Sequence, residues 1–136
     1  MTLAATPSEL RALIGQAVFA RDYDFRIHAF AAGECTLHVP WSPQLERPGG
    51  VVGGPVFMAA ADVAMWLAVV TRLGPQDASV TVELHTAFLS ALRREDFLCS
   101  ARIVKLGRRL IYGVAESASG DGRLLAHHTV TYARPA

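Results

Sequence analysis

The chain has 136 residues, of which 51% are hydrophobic and 18% are charged, and its formal net charge is +1. This length fits one domain, residues 1–136, and the apolar share is typical of a protein that buries surface between subunits. The near-neutral charge excludes the basic footprint of a nucleic-acid-binding protein. Cys35 and Cys99 lie far apart with no ligand spacing, which disfavours a disulfide framework or a zinc site and favours a reduced, cytoplasmic setting.

The first part of the chain predicts a short helix followed by a pair of strands. Residues 6–9, Thr-Pro-Ser-Glu, have the pattern of a capping box, and an amphipathic helix is expected from there to about Val18. No basic segment followed by an apolar run precedes this helix, so no signal peptide is expected. Two strands are predicted at about Phe25 to Ala31 and Glu34 to Val39, joined by a turn at Ala32-Gly33.

The second part predicts one long apolar helix and four strands. A Pro- and Gly-rich loop leads to a helix that begins at Pro55 and ends near Gly74. Residues 51–70 approach the length of a membrane span, but Gly53, Gly54, Pro55 and Asp62 interrupt them, so we expect a buried helix and no membrane contact. Strands are predicted at about Ser79 to Leu89, Phe97 to Leu106, Arg109 to Ser117 and Leu124 to Tyr132.

This order of elements predicts an α+β fold. A single apolar helix cannot bury itself, whereas a curled antiparallel sheet wrapped around it gives both elements a core.

Asp62 is the most unusual residue of the long helix. The residues three and four positions away on its face are Met58, Ala59, Met65 and Trp66, none of which can neutralise a carboxylate. Burying an unpaired carboxylate costs several kcal/mol, so the presence of Asp62 requires a structural or functional explanation. A functional acid in an apolar cleft is favoured, with a structural acid as the alternative.

Four segments occur in the order and spacing of a known family: residues 47–62 (RPGGVVGGPVFMAAAD), 80–84 (VTVEL), 105–109 (KLGRR) and 126–132 (AHHTVTY). On these segments the chain resembles the PaaI-like hotdog-fold acyl-CoA thioesterases over about residues 25–134. The resemblance implies a hotdog fold, active sites between protomers, and homodimers that often pair into homotetramers as dimers of dimers. It implies a coenzyme A thioester as substrate and a reaction that requires no metal or cofactor.

The resemblance also assigns catalytic roles. Asp62 falls on the family's catalytic acid, acting as general base on water or attacking directly to give an anhydride. Thr81 falls on a Ser or Thr position whose hydroxyl can hold the water or the acid, with a plain strand residue as the alternative. The family's usual histidine before two glycines is Gly53 here, and a frequent family asparagine is Arg47.

The glycine-rich turn before the long helix predicts an oxyanion site. A helix N-terminus presents free N–H groups, and its dipole favours developing negative charge. Gly54 is the expected donor to the thioester oxygen, and Gly53 and Val56 are further candidates because Pro55 has no N–H.

Further residues are candidates for substrate contacts. Met58, Met65 and Trp66 would suit an acyl or aryl-acyl chain, with core packing as the alternative. Arg108 and Arg109, with Lys105 as a helper, follow the family's basic residues at the nucleotide end of coenzyme A, with solvated turn charges as the alternative. Period-two alternation places His85 on the same face as Thr81, where a structural strand histidine is favoured over a catalytic one.

The expected function is hydrolysis of small to medium acyl- or aryl-acyl-CoA thioesters. Three alternatives differ in class. A hotdog protein could bind acyl-CoA without turnover, since the missing histidine and Pro55 remove groups that active members use. A hotdog hydratase or dehydratase would need an Asp and His pair, and no such spacing is visible. A purely structural oligomer would leave Asp62 unexplained.

Overall fold

A six-stranded antiparallel sheet wraps around one long helix. The computed structural model describes residues 2–136, apart from the side chain of Phe19. The helices are α1 (Pro7–Gln16), α2 (Val18–Asp22) and α3 (Gly54–Leu73). The strands are β1 (Arg26–Ala31), β2 (Glu34–Val39), β3 (Glu46–Arg47), β4 (Val51–Val52), β5 (Val80–Phe88), β6 (Phe97–Leu106), β7 (Leu110–Ser119) and β8 (Leu124–Ala133). The large sheet has the order β1-β2-β6-β7-β8-β5, and β3 and β4 form a separate small hairpin.

The N-terminal helix begins as the sequence predicts but ends earlier. The Glu9 N–H donates to Thr6 Oγ1 at 3.1 Å, and the Thr6 N–H donates to Glu9 Oε1 at 2.9 Å, which completes the capping box. Ala17 then adopts an extended backbone conformation, so the predicted single helix to Val18 is two helices, α1 and α2. The capping residues determine where α1 begins, while the break at Ala17 is marked by no proline and only by Gly15, which lies within the last turn of α1.

Helix α3 forms the core together with the strands that cover it, chiefly β2 and β6. Its sheet-facing side contains small residues such as Ala60, Ala64 and Ala68, all fully buried, which allow the helix axis to approach the sheet closely. The helix is long and apolar enough to cross a membrane, with a mean hydropathy of 1.7. However, 67% of its most apolar window is buried inside the protein, so the sheet covers much of this apolar surface.

The C-terminal end of α3 is tied to the turn between β1 and β2. The Gly33 N–H donates to Thr71 Oγ1 at 2.8 Å, and that hydroxyl donates to the Ala68 carbonyl at 2.5 Å. Gly33 has φ +80° and Gly74, which ends the helix, has φ +94°, a region that favours glycine. The predicted turn at Ala32-Gly33 and the predicted helix end are both confirmed.

The four predicted C-terminal strands are present, but strand β5 contains a bulge that the sequence pattern does not reveal. Thr81 pairs with Tyr132, whereas Glu83 pairs with Thr131, so one extra residue is accommodated between them. Thr81 therefore faces α3 with Tyr132, while His85, which pairs with Thr129, lies on the outer face. The prediction that His85 shares a face with Thr81 is wrong because the bulge shifts the alternation.

Candidate active site

Two hydroxyl groups hold the Asp62 carboxylate, which is half-buried on α3. Thr81 Oγ1 donates a hydrogen bond of 2.7 Å to Asp62 Oδ1. Tyr132 Oη donates to the same oxygen at 2.8 Å and to the Asp62 backbone carbonyl at 3.0 Å. Within residues 2–136 no hydrogen bond reaches Oδ2, so this oxygen is available to an incoming molecule.

Tyr132 is the residue of this site that sequence reasoning missed. It is 4% exposed, and burial together with the neighbouring Asp62 charge raises the pKa of its phenol. The phenol is therefore neutral at physiological pH and acts as a donor. The alternation of β8 indicates that Tyr132 points toward the core. A buried tyrosine hydroxyl usually has a hydrogen-bond partner, so this position could have been recognised as a donor.

A cavity of about 220 Å³ adjoins the acid and is lined by Ala17, Asp62, Val63, Trp66 and Tyr132. Trp66 thus lies beside Asp62 as the sequence predicts. Met65 does not, because it is 1% exposed and occupies the space next to Gly113 on β7. Its role is core packing, the alternative that its position left open. Met58 is 37% exposed and lines neither this cavity nor the one at the start of α3.

One of the three candidate oxyanion donors at the start of α3 has a free backbone amide. The Gly53 N–H donates to the Leu45 carbonyl at 2.9 Å, and the Val56 N–H donates to the Gly53 carbonyl at 3.0 Å. Pro55 has no N–H, and the Gly54 N–H makes no hydrogen bond to any described residue. Of the three candidate donors at this turn, Gly53 and Val56 are thus occupied and Gly54 remains.

Gly54 opens onto a second cavity, of about 380 Å³, whose other lining residues include Arg47, Phe57, Phe88 and Ser90. A Cβ atom at position 54 would lie 3.2 Å from the Phe88 ring, closer than such contacts normally are. Glycine therefore allows the backbone and the aromatic ring to approach each other at the cavity wall.

Gly54 and Asp62 do not meet within one protomer. They are separated by eight residues of one helix, which is a rise of about 12 Å. They also line different cavities. A single carbonyl group cannot contact both the free amide and the carboxylate of the same chain.

The predicted basic residues are partly brought together. Arg108 and Arg109 line a cavity of about 590 Å³ with Arg134, which the sequence did not single out. The Arg134 backbone N–H donates to the Arg109 carbonyl at 2.8 Å, and its side-chain Nη1 donates to the Gly107 carbonyl at 3.0 Å. Arg134 therefore stabilises the turn between β6 and β7. Lys105 is exposed on β6 opposite Tyr112 and does not line this cavity.

Two sets of buried titratable groups lie outside these sites. His128 is fully buried between the hydroxyls of Thr86, at 2.8 Å, and Ser117, at 3.3 Å. Burial, with a smaller effect from His127, lowers the pKa of His128 to about 4, so it is neutral at physiological pH. Cys35 and Cys99 are free, and burial raises the pKa of each thiol to about 12.

Comparison with known proteins identifies the family. The model of the Thioesterase superfamily matches residues 49–126, a segment that contains Gly54, Asp62 and Thr81. The chain belongs to the thioesterase superfamily. A protein from Silicibacter sp. TM1040 classed as a thioesterase is 32% identical, with a TM-score of 0.88 over 100% of this chain and 96% of that chain. A Sulfurisphaera tokodaii protein classed as an esterase is 32% identical over 69% of each chain.

The fold comparison extends to proteins of more distant sequence. The Escherichia coli PaaI protein, from the phenylacetic acid degradation operon, gives a TM-score of 0.85 at 15% identity over 95% of this chain and 92% of that chain. At this identity the likeness concerns the fold alone. The hotdog fold implied by the sequence segments is confirmed, and the protein is a hydrolase of the thioesterase class.

Proposed function

We propose that this thioesterase hydrolyses small to medium acyl- or aryl-acyl-CoA, with Asp62 as the reactive carboxylate and the Gly54 amide as the oxyanion donor. The observation that carries the proposal is the hydrogen bonding of Asp62. Thr81 and Tyr132 both donate to Oδ1, so the side chain is fixed while Oδ2 stays free. A fixed carboxylate with one free oxygen beside a cavity is suited to act on water or on a bound carbonyl.

The proposed reaction needs only these groups. In one route Oδ2 removes a proton from water, the resulting hydroxide attacks the thioester carbon, and the Gly54 N–H holds the oxyanion. The C–S bond then breaks, and the thiolate of coenzyme A leaves and takes up a proton. In the other route Oδ2 attacks the carbon directly, the C–S bond breaks, and the coenzyme A thiolate leaves and takes up a proton. Water then hydrolyses the acyl anhydride and regenerates the Asp62 carboxylate. Both routes yield the free acid and coenzyme A.

The distance of about 12 Å between Gly54 and Asp62 along α3 supports a site shared by two protomers. The edge strand β5 supports the same arrangement, since it pairs only with β8 and exposes Val80 and Val82 by 59% and 54%. Two copies joined along β5 would bury this edge in a continuous sheet. The acid of one chain would then face the Gly54 amide of its partner in a homodimer.

The nucleotide end of coenzyme A is proposed to bind at Arg108, Arg109 and Arg134. These three arginines line one cavity, and guanidinium groups suit phosphate oxygens. Arg134 lies two residues after Tyr132, just beyond the end of β8, so this cavity lies on the Asp62 side of the protomer.

A second candidate function is acyl-CoA binding without turnover. The observation that favours it is Gly53, which has no side chain at the position where the family usually has a histidine. The two candidates differ in one measurable property, the release of the thiol.

The first prediction concerns Asp62→Asn. This variant should lower the rate of thiol release from acyl-CoA substrates by 10²-fold or more. The amide nitrogen of asparagine can neither accept the proton of water nor attack the thioester carbon. Asp22→Asn, at an exposed acid at the end of α2, is the matched control and should retain wild-type rates. A thiol reagent can follow the reaction, since Cys35 and Cys99 are buried and protonated.

If the wild-type protein binds acyl-CoA but releases no thiol, the protein binds acyl-CoA without turnover and the proposed hydrolysis is wrong. If Asp62→Asn hydrolyses as fast as wild type, the role of Asp62 is wrong.

The second prediction concerns the two hydroxyl donors. Thr81→Val and Tyr132→Phe should each lower kcat by about tenfold, because each leaves Asp62 Oδ1 with a single donor and a less fixed orientation. The double variant should lose more than either single variant. Tyr112→Phe, on the outer face and 41% exposed, is the control for loss of a phenol hydroxyl. If kcat is unchanged in Tyr132→Phe and circular dichroism shows an intact fold, the Tyr132 hydroxyl does not contribute to catalysis.

The third prediction tests the shared site by subunit mixing. Asp62→Asn and Gly54→Val, which places a side chain against Phe88, should each be inactive as homodimers. After joint refolding in equal amounts, half of the dimers are mixed and carry one intact site of two, so activity should return to about one quarter of wild type. No recovery in mixtures that size-exclusion chromatography shows to be dimeric would place Asp62 and Gly54 of one site on the same chain.

A further inference from the structure

Two arginines from different parts of the chain converge on the turn between β3 and β4. Arg47 Nη1 donates to the Pro48 carbonyl at 2.7 Å, and Arg93 Nη1 donates to the Gly49 carbonyl at 2.8 Å. The Arg47 and Arg93 guanidinium groups lie 3.3 Å and 3.6 Å from where Cβ atoms at Gly49 and Gly50 would be, so both lie directly against the glycines of the turn. Each guanidinium is thus anchored by a carbonyl while most of its donors stay free.

This turn carries excess positive charge. Neither Arg47 nor Arg93 forms an ion pair with a carboxylate among residues 2–136. Glu46 is the acid that shares the turn, with Oε2 at 3.8 Å from the Cβ position of Gly50. Two guanidinium groups and one carboxylate leave the turn with a net positive charge, which suits a further anion.

Arg47 lines the same cavity as the free Gly54 amide. The rest of the lining of this cavity is largely apolar and includes Val52, Phe57 and Phe88. A ligand whose carbonyl oxygen lies at Gly54 would therefore extend along an apolar surface before it reaches the guanidinium. That surface suits a hydrocarbon or aryl segment, and the guanidinium suits an acidic group at the end of it.

We propose that Arg47 recognises a carboxylate at the far end of the acyl group, so that the preferred substrates are coenzyme A thioesters of dicarboxylic acids. This inference rests on the proposed thioesterase function. The phosphates of coenzyme A have their own arginine cavity at Arg108, Arg109 and Arg134, on the Asp62 side. Arg47 and Arg93 lie instead at the Gly54 end of α3, so they offer a second cationic position for a second anionic group.

The test compares two CoA thioesters of equal carbon number, one of a linear dicarboxylic acid and one of a monocarboxylic acid. The measured quantity is the ratio of their kcat/KM values. Wild type should prefer the dicarboxylic thioester, and Arg47→Gln should lower the ratio by about tenfold, the value of a charge-assisted hydrogen bond at a partly solvated site. Arg11→Gln, an exposed arginine of α1, is the matched control and should leave the ratio unchanged.

The same pair of acyl groups on pantetheine, which lacks the nucleotide, separates the acyl carboxylate from the coenzyme A phosphates. If Arg47 contacts the acyl carboxylate, the loss of preference in Arg47→Gln persists with pantetheine thioesters. If Arg47 instead contacts phosphate, the variant lowers both CoA rates equally and has no effect on pantetheine thioesters, which overturns the proposal. Wild-type hydrolysis of both CoA thioesters at equal rates overturns it while the thioesterase function stands. Hydrolysis of neither overturns both.

Discussion

The burial of α3 is the constraint on which the rest of the structure depends. A helix of 20 residues that is apolar on nearly all sides must be covered, and a curled antiparallel sheet is the element that can cover it. The small residues on its sheet-facing side bring the helix close to the strands, and Met65 fills the gap above Gly113. Once the helix is fixed in this way, the direction in which the Asp62 side chain points is fixed as well.

That direction determines which groups surround the carboxylate. Asp62 points toward the β5 and β8 side of the sheet, where the bulge after Thr81 turns a hydroxyl inward and Tyr132 supplies a second. A carboxylate in these surroundings is stabilised by hydrogen bonds without being neutralised by a basic side chain. The helix also separates the acid from the amide at its own N-terminus. One protomer thus carries both parts of the proposed site, but at positions that require a second copy to combine them.

Much of this arrangement could be predicted from the sequence because it depends on local patterns. The capping box at Thr6, the turn at Gly33, the long helix and the four C-terminal strands follow from spacing and from Gly and Pro positions. Asp62 can be singled out because an acid among apolar neighbours violates the local pattern. Gly54 can be singled out because it lies at a helix N-terminus and the following residue, Pro55, lacks an N–H.

The errors and omissions involve long-range contacts. The pairing of Tyr132 with Asp62 joins residues 70 apart, and no local pattern specifies it. The sequence pattern predicts the wrong face for His85 because a β-bulge shifts the alternation of β5 without a recognisable change in the sequence. The position of Met65 in the core depends on the rotation of α3 against β7, and the meeting of Arg47 with Arg93 depends on how two separate loops pack. Each of these is decided by tertiary packing.

The proposed site requires that Asp62 of one protomer and Gly54 of its partner act on the same carbonyl group. The most direct measurement is a crystal structure of Asp62→Asn with an acyl-CoA analogue in which a methylene group replaces the thioester sulfur. The ketone oxygen is expected at about 3 Å from the Gly54 nitrogen of one chain, with residue 62 of the other chain next to the ketone carbon. A ketone bound away from Gly54, or flanked by both residues of a single chain, would contradict it.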